Sequence, residues 1–294
     1  MNFLLEPFQY DFMQRALVAC VLVGFTNGFL GSFVILRRLT LMAEALSHSL
    51  LPGLVIAVIL FGVSAAGMLV GGLFAALFVA IGGHIISTSS RVKSETAIAA
   101  LYIVAFAFGI TLLKFTTVRV SLEHFLFGNI LGISDDDLWV SYAICCVTLL
   151  TLIALHRPLL LLMFEASVAK TQGVRTGPLS LLLVVLIVLS MVASLQAVGV
   201  LLSLGLLILP AATMYLLTDS YSTMSWGGAV LGMLGAVVGL FASYYANIPS
   251  GPAIVFVLGL IFVAAYFFSP RYGMCARWFH RRHLHDESLK RWTP

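Results

Sequence analysis

The sequence predicts an all-α polytopic membrane protein with eight or nine transmembrane helices. Of its 294 residues, 61% are hydrophobic and only 10% charged, whereas a soluble domain carries about 25% charge. The mean hydropathy is +1.08. The apolar residues also fall into runs of about 20, the length that crosses a hydrocarbon core, divided by short polar loops.

Residues 1–12, MNFLLEPFQYDF, contain Glu6 and Asp11 and no basic residue. They are read as an interfacial segment, because a cleavable signal needs a basic start. Spans follow near 13–36, 40–62, 66–86, 96–114, 138–155, 178–196, 199–217, 226–246 and 251–268. The two pieces of 178–217 are nearly continuous, joined from Gln196 to Gly199, so one of them is read as short or re-entrant. Residues 13–268 thus form the membrane domain, and 269–294 form a basic tail.

Orientation follows from the basic residues, which accumulate on the cytoplasmic side. With the N-terminus outside, Arg37, Arg38, Arg91, Lys93, Arg157, Lys170, Arg175 and six basic residues of the tail share one side. Only Arg15, Lys114 and Arg119 fall on the other. The first side is therefore the cytoplasm and holds the C-terminus, while the run Asp135–Asp137 lies outside. The net charge of +4 sits in short loops and the tail, which gives no surface for nucleic acid. Cys20, Cys145 and Cys146 lie in apolar runs and Cys275 in the tail, so no disulfide framework is expected.

Chemistry is most legible in LTLMAEALSHSLLPGLVIAVIL, the second span. Glu44 and His48 are four residues apart and so share one helical face. Ionisable residues at membrane depth usually face a bundle interior and mark a path for ions or substrate. A carboxylate oxygen with an imidazole nitrogen is also a ligand set for a borderline divalent metal. Pro52 and Gly53 follow, so the pair is expected beside a bent or loosened helix, as where transporters bind ions at broken helices. The competing reading is a hydrogen-bonded pair that only holds helices together.

Four further segments stand out. LLLLMFEASVAKTQGVRTGP, 159–178, can form a short helix from Phe164 to Gln172, stopped by Gly173 and able either to dock on a partner or simply to lie at the interface. VGVLLSLGLLILPAATMYLL, 198–217, combines small residues with Pro210, which suits tight packing or a pore-lining position. NIPSGPAIV, 247–255, is a rigid turn. The tail HRRHLH brings together His280, His283 and His285, which could bind a cytosolic metal or make a regulatory contact, and is read as solvated or lying on anionic headgroups. There is no GxxxxGK[ST] to cradle ATP and no HExxH.

Several of these segments together resemble one family, the permease subunit of the ATP-binding-cassette importers for zinc, manganese and iron. The matching stretches are GSFVILRRLTLMAEALSHSLLPG (31–53), FGNILGIS (127–134), FEASVAKTQGV (164–174), GVLLSLGLLILPAA (199–212) and NIPSGPAIV (247–255). They run in family order. The resemblance implies a type II ABC-importer-like permease fold in a bacterial plasma membrane. It implies two copies of an ATP-binding ATPase subunit, an extracytoplasmic metal-binding protein and a second permease copy or paralogue. The chain itself would be no enzyme and hold no bound cofactor, the cargo being Mn2+, Zn2+ or Fe2+, manganese first. Glu44 and His48 fall on the family's metal positions. Residues from about 163 to 174 fall on its ATPase-coupling helix, with Phe164, Glu165, Ala166, Ala169 and Gly173 as the contact-bearing residues. Glu44 and Asn247 each stand where aspartate is common, and so does Asn129. The rival reading is an ion- or proton-coupled secondary metal transporter with Glu44 as its proton carrier.

Overall fold

The computed structural model describes residues 9–62, 64–115, 130–164, 166–269, 273 and 274. In lipid every backbone polar group needs an internal partner, so an apolar chain of this composition folds as helices. They are α1 (Asp11–Leu36), α2 (Thr40–Phe61), α3 (Ala65–Ser89), α4 (Ser94–Leu113), α5 (Asp135–Ala154), α6 (His156–Phe164), α7 (Ala166–Thr171), α8 (Thr176–Val198), α9 (Val200–Leu217), α10 (Tyr221–Ala246) and α11 (Ser250–Phe268), with a 3-10 turn at Ile130–Gly132 before α5. Among the described residues eight helices are long and apolar enough to cross a membrane, and Leu202–Leu217 of α9 is a shorter apolar one. The span count of eight or nine follows from that pair, for Gly199 at φ +83° interrupts the chain between α8 and α9.

Local signals set the ends. Ser64 accepts a hydrogen bond from the Gly67 N–H at 3.1 Å, and Ser134 accepts one from the Asp137 N–H at 3.2 Å, each covering an orphan donor at a helix start. Asp135, Asp136 and Asp137 occupy the first turn of α5, where carboxylates complement the helix dipole. Asn247 ends α10 in the left-handed conformation, φ +55°. Asparagine adopts it more readily than most residues, so this position has a backbone role. Arg38 takes the same conformation at φ +56° between α1 and α2, where the Leu39 N–H reaches the Val34 carbonyl at 2.9 Å.

Two layers of packing share α1. Its glycines let α10 approach to backbone contact: a Cβ on Gly28 would stand 2.2 Å from the Gly228 carbonyl oxygen, and one on Gly24 2.7 Å from that of Gly232. Small residues take this role in membranes because lipid removes the hydrophobic drive between helices and leaves close packing to hold them. Buried polar side chains add to it. Asn27 Nδ2 donates to Ser194 Oγ at 2.8 Å, and Ser190 Oγ donates to Asn27 Oδ1, tying α1 to α8. On the other side α2 lies against α3 and α4, with Gly53 and Gly71 in backbone contact. One core gathers side chains of α2, α3, α4 and α8 with the second half of α1; the other gathers the first half of α1 with α9, α10 and α11.

Candidate metal pathway

The seam between α2 and α4 carries the polar residues singled out in the sequence. The two helices run parallel, as three levels of contact show. Glu44 and Ala45 line a pocket of about 390 Å³ together with Glu95, Thr96 and Ala99. One turn on, the His48 ring stacks on Tyr102 at 6.2 Å and meets Phe106 edge-on at 5.5 Å. A further turn on, Gly109 lies on Pro52, where a Cβ would come 2.8 Å from Pro52 Cα. The seam is thus polar from its start to His48 and closed by backbone beyond it.

Glu44 and His48 differ in setting. His48 is half-buried against α4, and its Nδ1 is buried with no hydrogen-bond partner among the described residues. Leaving such an atom unpaired costs about 1–3 kcal/mol. Glu44 is exposed on the outside of the chain rather than turned into its bundle, as intramembrane carboxylates usually are. α2 continues as one helix with Pro52 inside it, and the full break falls at Gly199. Pro52 still denies the His48 carbonyl its usual donor four residues on. Among the described residues no three of His, Cys, Asp and Glu converge as a ligand set.

Sequence reasoning missed Glu95, Tyr102 and Phe106. The signal was there: they recur at spacings of 7 and 4, one helical face, and Glu95 opens α4 directly after the basic Arg91 and Lys93. The sequence also did not foretell α6 as a separate helix before the short one. Pro158 fits its first turn, where no backbone donor is needed.

The segment from 163 to 174 has its own geometry. Phe164 ends α6 and is 66% exposed. α7 covers Ala166–Thr171, within the Phe164–Gln172 helix expected from the sequence. Gly173, at φ +79°, closes it: its N–H reaches the Lys170 carbonyl at 3.1 Å, and the Val174 N–H reaches that of Ala169 at 2.9 Å. Ala169 is buried while Val168 is exposed. Glu165 lies outside the described residues, as do Asn129, His280, His283 and His285. At the far end of α1 and α5, Arg15 Nε pairs with Asp135 Oδ1 at 2.8 Å.

This architecture matches known proteins. The family model described as "ABC 3 transport family" covers residues 9–269. The chain belongs to that family. It is the family of permeases that the motifs at 31–53, 164–174, 199–212 and 247–255 resemble. A manganese transport system membrane protein, MntC, of Halalkalibacterium halodurans is 39% identical over 282 residues, covering 95% of this chain and 94% of its own length. A Haemophilus influenzae protein named for iron transport is 35% identical over 277 residues, covering 94% and 97%. The solved structure of PsaBC from Streptococcus pneumoniae in complex with Fab superposes with a TM-score of 0.83 at 33% identity, over 92% of this chain and 96% of that one.

Proposed function

We propose that this ABC 3 family member is the transmembrane permease subunit of an ATP-driven importer, moving a divalent transition-metal cation into the cytoplasm. Manganese is the first cargo, then zinc or iron. The observation that carries the reading is the buried, unpartnered Nδ1 of His48 one turn from the exposed Glu44. A dehydrating cation supplies what both lack, a partner for the nitrogen and a counter-charge for the carboxylate. The mixed nitrogen–oxygen set suits manganese, iron and zinc, and because intrinsic affinity favours zinc, selection of manganese rests on geometry and delivery.

Two ligands make a weak site, which an importer needs if it is to release its cargo. The exposure of Glu44 also favours a second permease, a copy or a paralogue, over that face, since a carboxylate facing lipid costs about 2.5–3.5 kcal/mol on insertion scales. Two ATPase subunits would supply the energy, because this chain has no phosphate-binding motif. They would dock at 163–174, with exposed Phe164 and Val168 as contacts, Glu165 and Ala166 beside them, and Ala169 and Gly173 holding the turn. An extracytoplasmic binding protein would deliver the metal to the opposite face. The placement is a bacterial plasma membrane, residues 13–268 forming the permease domain between an interfacial segment and a cytoplasmic tail.

The test is manganese, zinc and iron uptake into vesicles holding the complete importer. ATP-dependent uptake that His48→Ala abolishes, with the complex still assembled, is the expected result. Normal uptake in both His48→Ala and Glu44→Ala would overturn the metal assignment. Uptake that needs no ATP but follows a pH gradient would favour the secondary transporter.

A further inference from the structure

Glu95 is the residue on this seam that the pathway just described does not use. It stands in the first turn of α4 and lines the same pocket as Glu44 and Thr96. Neither glutamate has an ion-pair partner among the described residues, although Arg91 and Lys93 lie only four and two residues before Glu95. A first-turn glutamate serves a helix dipole from any direction around the axis. This one shares its pocket with Glu44, and Tyr102, two turns on, lines that pocket as well and stacks on the His48 ring.

We infer that Glu95 is a further cation-contact residue, forming with Glu44 a second station on the cytoplasmic side of His48. This rests on the proposed role of Glu44 and His48 and on the orientation set by the basic loops. Three features place the station. The seam beyond His48 is closed by Pro52 on Gly109, so within one chain the polar route from His48 runs only toward Glu44 and Glu95. The three side chains do not converge as one ligand set, so Glu95 is a successor to His48 rather than its co-ligand. The second station is also all oxygen: two carboxylates and the Thr96 hydroxyl.

An oxygen-only set is harder than one containing imidazole and holds manganese well relative to zinc. A cation that leaves His48 for Glu44 and Glu95 loses a nitrogen ligand and gains an oxygen. That exchange is easy for manganese, whereas zinc loses more by leaving the imidazole. Glu95 therefore acts on release and leaves loading from the outer face alone. Tyr102 touches both stations, lining the pocket and stacking on the His48 ring.

The experiment is manganese uptake by the complete reconstituted importer carrying Glu95→Gln, Glu95→Asp or His48→Ala. Glu95→Gln is expected to lower the turnover rate about tenfold with KM changed less than about twofold, the pattern of a residue acting after loading. Glu95→Asp, which keeps the charge, is expected to restore most of the rate. Wild-type turnover in Glu95→Gln beside a dead His48→Ala would overturn the second station and leave the first intact. Wild-type uptake in both variants would overturn both. Equal losses in Glu95→Gln and Glu95→Asp, in step with lost assembly, would make Glu95 a helix-start residue only and so also overturn the proposal.

Discussion

Gly109→Ala offers a perturbation whose size can be worked out from the structure. A Cβ at this position would lie 2.8 Å from Pro52 Cα, 2.9 Å from its nitrogen and 3.1 Å from its Cβ. Carbon atoms rest at about 3.5–4.0 Å, so α4 must retreat from α2 by about 1 Å. Overpacking of this kind costs about 1–3 kcal/mol, against a gain of about 1 kcal/mol from replacing a helical glycine. Phe106 and Tyr102 lie one and two turns before Gly109 and hold the His48 ring, so the retreat loosens the imidazole as well as the packing. The assay is manganese uptake in vesicles together with thermal unfolding in detergent. We expect KM to rise about three- to tenfold, the equivalent of about 0.6–1.4 kcal/mol of lost positioning, with a small fall in melting temperature. Gly259→Ala is the control, for nothing lies within 4 Å of its missing Cβ. Unchanged uptake in Gly109→Ala, or an equal loss in Gly259→Ala, would refute the claim that the α2–α4 contact positions His48.

Gly28→Val should split α1 from α10, since even its Cβ meets a backbone oxygen at 2.2 Å; yield of folded protein in detergent checks it, and Gly177→Val, with open space around it, should be silent. Asn27→Leu should cost about 1–2 kcal/mol, the range for intramembrane hydrogen bonds, by leaving Ser190 and Ser194 without their partner on α1; thermal unfolding reads the loss. Gly173→Val forces a β-branched residue to φ +79° and should cost about 1–2 kcal/mol at the end of α7; in vesicles, ATP hydrolysis should then become less responsive to the metal-loaded binding protein while metal binding is kept.

What the sequence revealed and what it hid have different physical origins. Span positions were legible because lipid enforces length and apolarity on every helix, and α2 and α11 fall within a residue of the apolar runs at either end. Glu44 and His48 were legible because charge at membrane depth is costly enough to be rare. Their opposite exposures were not, since an i, i+4 spacing puts two residues on one face without saying which neighbour covers it. Pro52 lies inside one continuous helix, packed by Gly109 on one side and with Gly53 against Gly71 on another. The join read from Gln196 to Gly199 is where the chain breaks, because the positive φ of Gly199 lets α8 end and α9 begin within one residue.

Glu95 shows how far such reading can go. In the sequence it is one acidic residue in a loop that also holds Arg91 and Lys93, and a solvated cap is the ordinary outcome there. Its meaning depends on the register of two helices separated by the whole of α3. Only once Pro52 lies on Gly109, and His48 between Tyr102 and Phe106, does the parallel pairing carry Glu95 to the level of Glu44. A shift of one turn in α4, about 5.4 Å, would move its carboxylate off that level and bring Ile98 or Ala99 there instead. The glycine at 109 therefore matters to Glu95 as much as to His48: it fixes the depth at which α4 docks on α2, and with it the level at which a second carboxylate meets the first.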